Sequence, residues 1–448
     1  MSHLKPHPRP VPLFAALAVS AALLVPVSAT AQPAPEGCLD ANAFLTPEEH
    51  RLTRAIGENP QPVAEQILQR SGFDRFEPAF VKALCAADSL GQAERVVTSH
   101  GQRLWRTAVD RVQGRGPDGG DLSRSDDRPL YWARLQMTRA LRQWQPGFAL
   151  TDEQRVALDW TLERASRGQF DVRFPAGKGV KRMLVSGFDP FSLDGSQGRA
   201  VRNGNPSGAI ILSLDGTVVE TEQGSVFIEV AIFPVRWRDF DLGMVGDTFG
   251  PFMQEGPRRL DASMTISQGG GGMRFEHWNG RFRTGTDNNT INPCGSPALS
   301  SRPECQITPP DRWVPFEAPQ WTQTTQPIEI LLNAGTGPFV VSHNRNGTQF
   351  VTCGEPQTQS FSGAPTSLEH CARSGGGGSF LSNEIAYRVT LLRDVFGLSI
   401  PAGHNHVASM PLGTTFEITD PSFEARRADI VQQAGALVRV VGVSLLLE

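Results

Sequence analysis

Ser374-Gly375-Gly376-Gly377-Gly378-Ser379-Phe380-Leu381-Ser382-Asn383-Glu384 is a glycine run that ends in a small polar cluster and passes at once into a helical pattern. Apolar residues recur at Ile385, Val389, Leu392 and Phe396, with Gly397 where a helix C-cap belongs. This spacing sets Ser382 and Asn383 at or beside a helix N-terminus. Free backbone N–H groups and the helix dipole favour developing negative charge there, so a nucleophile in that place shares its site with an oxyanion hole. The plainer alternative is a turn in which Ser382 only caps the helix. The rest of the chain decides between them.

Working outward, short apolar segments at 183–185, 226–233, 262–266 and 328–331 read as strands. With the helix after Ser382 and a final apolar segment at 434–447, they predict an alternating α/β pattern. Ligands of such folds sit beyond the carboxyl ends of the strands. Upstream, 45–168 carries helical signals. Thr46-Pro47-Glu48-Glu49 and Thr151-Asp152-Glu153-Gln154 are capping boxes, and Leu104, Ala108 and Val112, then Leu130, Met137, Leu141 and Trp144, mark amphipathic stretches. Gly114 to Asp127 reads as a loop. The many arginines of this region read as solvated helix faces. The organisation predicted is a small all-α domain at 32–173, a linker at 174–180 and an α/β domain at 181–448, each with its own core. The helical domain carries no catalytic signature; docking, folding assistance or covering its neighbour's cleft would suit it.

The start of the chain carries Lys5 and Arg9, an apolar run to Ala29, and Ala29-Thr30-Ala31 before Gln32. This is the pattern of a signal peptide at 1–31, cleaved after Ala31, and it predicts a periplasmic or secreted protein. Pro12 and Pro26 leave too short an apolar stretch for a membrane anchor. The six cysteines, Cys38, Cys85, Cys294, Cys305, Cys353 and Cys371, all follow that site, an even number suited to disulfides in an oxidising compartment. Sequence leaves the connectivity open; Cys294–Cys305 and Cys353–Cys371 would close local loops and leave Cys38–Cys85. The formal charge is −4, or −6 once Lys5 and Arg9 leave with the leader, and no basic block marks a nucleic acid or an anionic membrane as partner.

Five motifs in order then resemble one family. Ser186-Gly187-Phe188-Asp189-Pro190-Phe191, with Asn205-Pro206-Ser207, is similar to the opening of the pyroglutamyl peptidase I family, where a first strand runs into Gly-Phe-x-Pro-Phe and then Asn-Pro-Ser. Ser267-Gln268-Gly269-Gly270 resembles its Gly-Gln-Ala-Gly turn. Phe275-Glu276 and Asp287-Asn288 resemble its Val-Glu-Arg segment and the Asp-Asn that follows. Gly378-Ser379-Phe380-Leu381-Ser382-Asn383 resembles Gly-Thr-Phe-Val-Cys-Asn, and Gly403-His404-Asn405-His406-Val407 resembles Gly-Phe-x-His-Val. The resemblance spans 181 to the C-terminus and leaves the helical domain outside.

That resemblance implies a three-layer α/β/α domain that removes an N-terminal 5-oxoproline from peptides with a Glu–Cys–His set and no cofactor. By motif, the glutamate is Glu276, the histidine His406, and the nucleophile position is Ser382, where the family has cysteine. Phe188 and Phe191 would flank the substrate's flat ring, and Asn205, Gln268 and Asn383 complete the implied substrate site. The expected substrate is a peptide or small acyl amide. Two readings follow from the serine. A working enzyme would let Ser382 attack, His406 carry the proton and Glu276 hold the imidazole; an exported protein also avoids an oxidisable thiol in this way. The alternative is an inactive peptide or ligand binder on the same scaffold. The family's arginine after the glycines is replaced by Gly272, with Arg281 or Arg283 as unassigned stand-ins. An insertion at about 290–372, with four cysteines, is expected to form disulfide-pinned surface loops near the cleft. His404 and His406 lack the further ligands of a metal site, and Asp239 and Asp241 read as surface charges or caps.

Overall fold

The computed structural model describes residues 4–6, 37–116, 119–177, 179–194, 199–284, 289 and 305–447. The leader beyond 4–6, its cleavage site at Ala31, Asp287-Asn288 and Cys294 lie outside the described residues. After β1 (Leu4–Pro6) and a 3-10 turn at Glu49–Thr53 come helices α1 (Val63–Gln69), α2 (Phe76–Cys85), α3 (Leu90–Val112), α4 (Arg128–Gln143) and α5 (Asp152–Ala165). The α/β part runs β2 (Val180–Phe188), α6 (Pro206–Leu214), β3 (Thr217–Thr221), β4 (Gly224–Phe233), α7 (Trp237–Asp241), α8 (Met244–Met253), β5 (Ala262–Gln268), β6 (Met273–Glu276), β7 (Trp278–Gly280) and β8 (Trp321–Gln323). It continues through α9 (Ile328–Leu332), β9 (Val341–Asn344), β10 (Asn346–Phe350), β11 (Thr358–Ser362), β12 (Ala372–Ser374), α10 (Leu381–Val395), β13 (Ala402–Val407) and α11 (Pro421–Ser444).

Eight strands form one sheet in the order β1-β3-β4-β2-β5-β13-β6-β9. Its centre, β4-β2-β5-β13, is parallel, and β6 returns antiparallel beside β13. Cleavage after Ala31 would remove β1 and leave β3 at that edge. Alternation along β2 divides the layers: Met183 and Val185 join the core shared with α6 and α11, while Leu184 joins the core shared with α8 and α10. Among the described residues this is a mixed α/β architecture, a central sheet flanked by helices, with a helical N-terminal region.

The helical region is not an independent globule. Its buried residues, from Leu52 to Leu162, belong to the same core as Met183, Ile210, Ile228, Val230 and Leu437 of the α/β part. The expectation of two separate cores is corrected here: the stretch read as a linker holds Phe174, which is 3% exposed and packs edge-on against Phe252 at 5.4 Å. The arginines are also not simply solvated faces. Arg134 and Arg167 both grip Asp189, Arg51 and Arg54 grip Asp194, and Arg128 Nη1 donates to Arg202 O at 2.8 Å and Ile418 O at 2.7 Å. Burying so many guanidinium groups is tolerable because each finds oxygen acceptors across the junction.

Three local expectations change as well. The segment at 328–331 is the helix α9, because a short apolar run carries no period of its own. The insertion forms structure rather than loops alone: β9 extends the main sheet, and β10, β11 and β12 make a second, three-stranded sheet. Asp239 is 1% exposed and pairs with Arg236 at 2.9 Å, while Asp241 pairs with Arg283. Cys38–Cys85 and Cys353–Cys371 are disulfide-bonded, and Cys305 is bonded too.

Candidate active site

The site grows from the carboxyl ends of the parallel strands. β2 ends at Phe188 and β5 at Gln268, and β13 carries His406 in register with Ser267. Antiparallel β6 sets Glu276 opposite His404 and Arg274 opposite His406. Opposed residues share a face, and residues two apart share it too, so Glu276 and His406 are diagonal neighbours. Glu276 is fully buried. Its Oε1 meets His406 Nδ1 at 2.7 Å and accepts from Arg274 Nε at 2.7 Å; its Oε2 accepts from Asn344 Nδ2 at 2.6 Å. A carboxylate can only accept, so Nδ1 carries the proton and a neutral ring keeps its lone pair on Nε2.

The glycines explain how these groups fit. A Cβ on Gly376 would lie 2.4 Å from Glu276 Oε2, and one on Gly269 would lie 2.7 Å from His406 Cβ. Gly377 stands between the imidazole and α10: its Cβ would lie 3.5 Å from His406 Cε1 and 3.2 Å from Asn383 N. Side chains at Gly376 and Gly269 would collide with the carboxylate and the ring, and one at Gly377 would press on the helix start.

α10 begins as the spacing predicts, with one adjustment. Phe380 is its N-cap, so Ser382 is the second helical residue rather than the cap. Asn383 N and Glu384 N both return to Phe380 O, at 3.0 and 3.1 Å, while Leu381 N–H and Ser382 N–H donate to nothing among the described residues. The far end closes as a Schellman turn: Leu398 N donates to Arg393 O at 2.9 Å and Gly397 takes φ +63°.

Ser382 lines a recess of 50 Å³ with Phe188, Phe191, Asn205, Gln268 and Phe380. Phe188 stacks on Phe240, ring centroids 6.2 Å apart. The buried Oε1 of Gln268 has no hydrogen-bond partner among the described residues, an orphan acceptor beside this recess. Asn205 spends its side chain on Asp189 O and Ser207, capping α6 while it borders the recess. Asn383 is placed elsewhere: it is buried, its Oδ1 accepting from Gly280 N at 2.9 Å and its Nδ2 donating to Gly280 O at 2.6 Å. Its amide locks α10 to β7 instead of facing the recess, a correction to its expected substrate contact. Ser382 Oγ and His406 form no hydrogen bond in this structure.

His404 is a buried structural neighbour, with Nδ1 2.7 Å from Thr265 Oγ1 and Nε2 2.8 Å from Ser267 Oγ. Burial, then the nearby His406 and Arg274, push its pKa well below the ordinary 6.5. Among the described residues no group of three or more His, Cys, Asp or Glu side chains could hold a metal ion. Arg281 and Arg283 are committed away from the recess, Arg281 to Ala318 O at 3.2 Å and Arg283 to Asp241. Sequence reasoning missed Arg274, two residues from Glu276 on its own strand, and Asn344, which reaches Glu276 from the insertion. The i, i+2 spacing could have flagged the first; nothing in the sequence flagged the second.

The recess is also tied to the helical region. Asp189, the residue after Phe188, accepts from Arg134 and Arg167, and its own N–H donates to Phe233 O at 3.0 Å. Val235, which also lines the recess, precedes Arg236, which pairs with Glu48 at 3.2 Å and Glu163 at 2.8 Å.

Set against known proteins, residues 182–411 match the family model described as PA0049, C-terminal domain, and residues 29–163 match the PA0049 N-terminal domain. A protein of Pseudomonas aeruginosa described as uncharacterized protein PA0049 is 39% identical, across 96% of this chain and 96% of its own. Among solved structures, a pyrrolidone carboxyl peptidase from Pyrococcus furiosus is 17% identical, covers 59% of this chain and 99% of its own, and has a TM-score of 0.35. That from Thermococcus litoralis is 13% identical, covering 60% and 95%, with a TM-score of 0.35. That from Thermus thermophilus is 18% identical, covering 57% and 99%, with a TM-score of 0.30.

Proposed function

This chain belongs to the PA0049 family, and for it we propose an exported hydrolase that removes an N-terminal 5-oxoprolyl or related small acyl group from peptides. The observation that carries the reading is the buried Glu276 bound to His406 Nδ1 at 2.7 Å, beside a recess lined by Ser382, Phe188, Phe191 and Gln268. The five motifs in family order support it. The disulfides Cys38–Cys85 and Cys353–Cys371 accord with export.

In this reading Ser382 Oγ attacks the acyl carbonyl while its proton passes to His406 Nε2. The C–O bond forms, and the oxyanion takes the unused N–H groups of Leu381 and Ser382 at the start of α10. Collapse breaks the C–N bond as Nε2 returns the proton to the leaving amine, and water releases the acyl group by the same steps. Glu276 keeps Nδ1 protonated and balances the imidazolium. Gln268 Oε1 accepts the N–H of a lactam ring lying between Phe188 and Phe191. Ser382 and His406 must close up when substrate fills the recess, as catalytic contacts often do.

Their lack of a direct hydrogen bond favours a second reading, a peptide or ligand binder that uses the same recess without turnover. Steady-state hydrolysis of a 5-oxoprolyl amide panel by the wild type and His406→Ala decides between them. The enzyme reading expects turnover that the substitution abolishes. Saturable binding with equal, background rates in both proteins supports the binder.

A further inference from the structure

A second cavity, of 250 Å³, lies between α4, α5 and the residues around the start of α7. Most of its charged residues are mutually satisfied: Glu49 takes Arg142 at 2.9 Å, while Glu48 and Glu163 take Arg236 at 3.2 and 2.8 Å. Three are not. Asp159, Arg155 and Arg238 line the cavity and form no ion pair among the described residues. Arg155 and Asp159 stand one turn apart on α5, where opposite charges can pair. Arg155 instead donates from Nη1 to Trp144 O at 3.1 Å, leaving the carboxylate unclaimed. Burial, then the nearby Glu163, raises the Asp159 carboxyl to about 6 against the opposing pull of Arg142 and Arg236, neither of which forms an ion pair with it. Much of the remaining wall is apolar, including Leu135, Leu150 and Trp144.

One anion, two cations and an apolar wall narrow the ligand. A simple anion would face the carboxylates, a simple cation would face the guanidinium groups of Arg155 and Arg238, and a neutral hydrocarbon would desolvate all three charges without recompense. The volume falls below the roughly 300–1,000 Å³ of drug-sized ligand pockets, which points to a small molecule. We propose that this cavity binds an amino-acid-type zwitterion with an apolar side chain. Its ammonium pairs with Asp159, its carboxylate with Arg155 and Arg238, and its side chain rests on Leu135, Leu150 and Trp144. The site does not depend on the hydrolase reading. It does abut the chemistry, because Arg236 and Arg238 flank Trp237, whose ring meets Phe380 edge-on at 5.1 Å, two residues before Ser382.

Equilibrium dialysis of the folded full chain with leucine, N-acetylleucine and leucinamide tests it, in the wild type, Asp159→Asn and Arg238→Gln. Leucine should bind saturably. Blocking either of its ends, or making either substitution, should weaken binding about tenfold or more, the loss expected of a hydrogen bond between charged groups. Absence of saturable leucine binding to the wild type overturns the proposal. So does equal affinity for the capped analogues, a comparison that needs no variant to fold.

Discussion

Nδ1 of His406 and Oε1 of Glu276 lie 2.7 Å apart although the two residues are not register partners: β6 and β13 pair Glu276 with His404. The bond is diagonal. It requires a glycine beside it, since Gly376 packs where a methyl group would strike the carboxylate.

Glu276→Gln keeps the shape but removes the charge that fixes the tautomer. Under the hydrolase reading, kcat should fall on the order of 10³–10⁴-fold with little change in thermal stability, by analogy with the loss of a triad carboxylate. Activity assays beside thermal melts check this. A rate within about threefold of wild type would remove Glu276 from the mechanism.

Gly376→Ala carries no backbone penalty, because this glycine does not occupy the left-handed region. Its cost is steric: the added methyl would lie 2.4 Å from Glu276 Oε2 and 3.2 Å from both Asn344 Nδ2 and Glu276 Cβ. Urea titration should show a loss of about 1–3 kcal/mol, typical of overpacking, together with lost activity as the carboxylate shifts. A stable, fully active Gly376→Ala protein would mean the carboxylate has room to spare.

Much of this site is legible in the chain because its chemistry sits in compact motifs. Glu276 and His406 stand out through short signatures, and the helix after Ser382 through its apolar period and Gly397. What is not legible depends on distance in sequence. Asn344 reaches Glu276 across 68 positions from an insertion with no signature. The helical arginines look solvated in one dimension, since their acceptors, such as Asp189 and Asp194, lie in the other part of the chain. Asn383 stands beside the nucleophile position in sequence, yet one residue along a helix turns a side chain about 100° away, toward β7.

Asp189→Asn should reveal that junction. Of Arg134 and Arg167, which donate to different oxygens of Asp189, one would keep an acceptor and the other would face an amide NH2, and both would lose the buried charge between them, a change of the kind that costs about 3–5 kcal/mol. The urea midpoint should fall accordingly, and substrate KM should rise as the Phe188–Phe191 wall loosens. An unchanged midpoint would show that the clamp contributes nothing net.

His404 sets a pH dependence. Its folded pKa lies well below the ordinary 6.5, so the unfolded chain takes up this proton first as pH falls. Its stabilising contribution is therefore complete above that ordinary value and declines below it, by up to about 1.4 kcal/mol per pH unit. Urea unfolding between about pH 7 and about pH 5 should show this slope, to which the similarly lowered His100 and His277 also contribute, and His404→Gln should lessen it. Equal slopes in both proteins would assign the pH dependence to other groups.

The central claim is that Ser382 is a nucleophile, and a serine-directed 5-oxoprolyl phosphonate tests it most directly. Mass spectrometry of the treated protein should find one adduct, on Ser382, absent from Ser382→Ala and strongly reduced in His406→Ala. Wild type left unlabelled while 5-oxoprolyl amides still bind, or labelled equally with Ser382→Ala, would contradict the claim and leave a binding protein in its place.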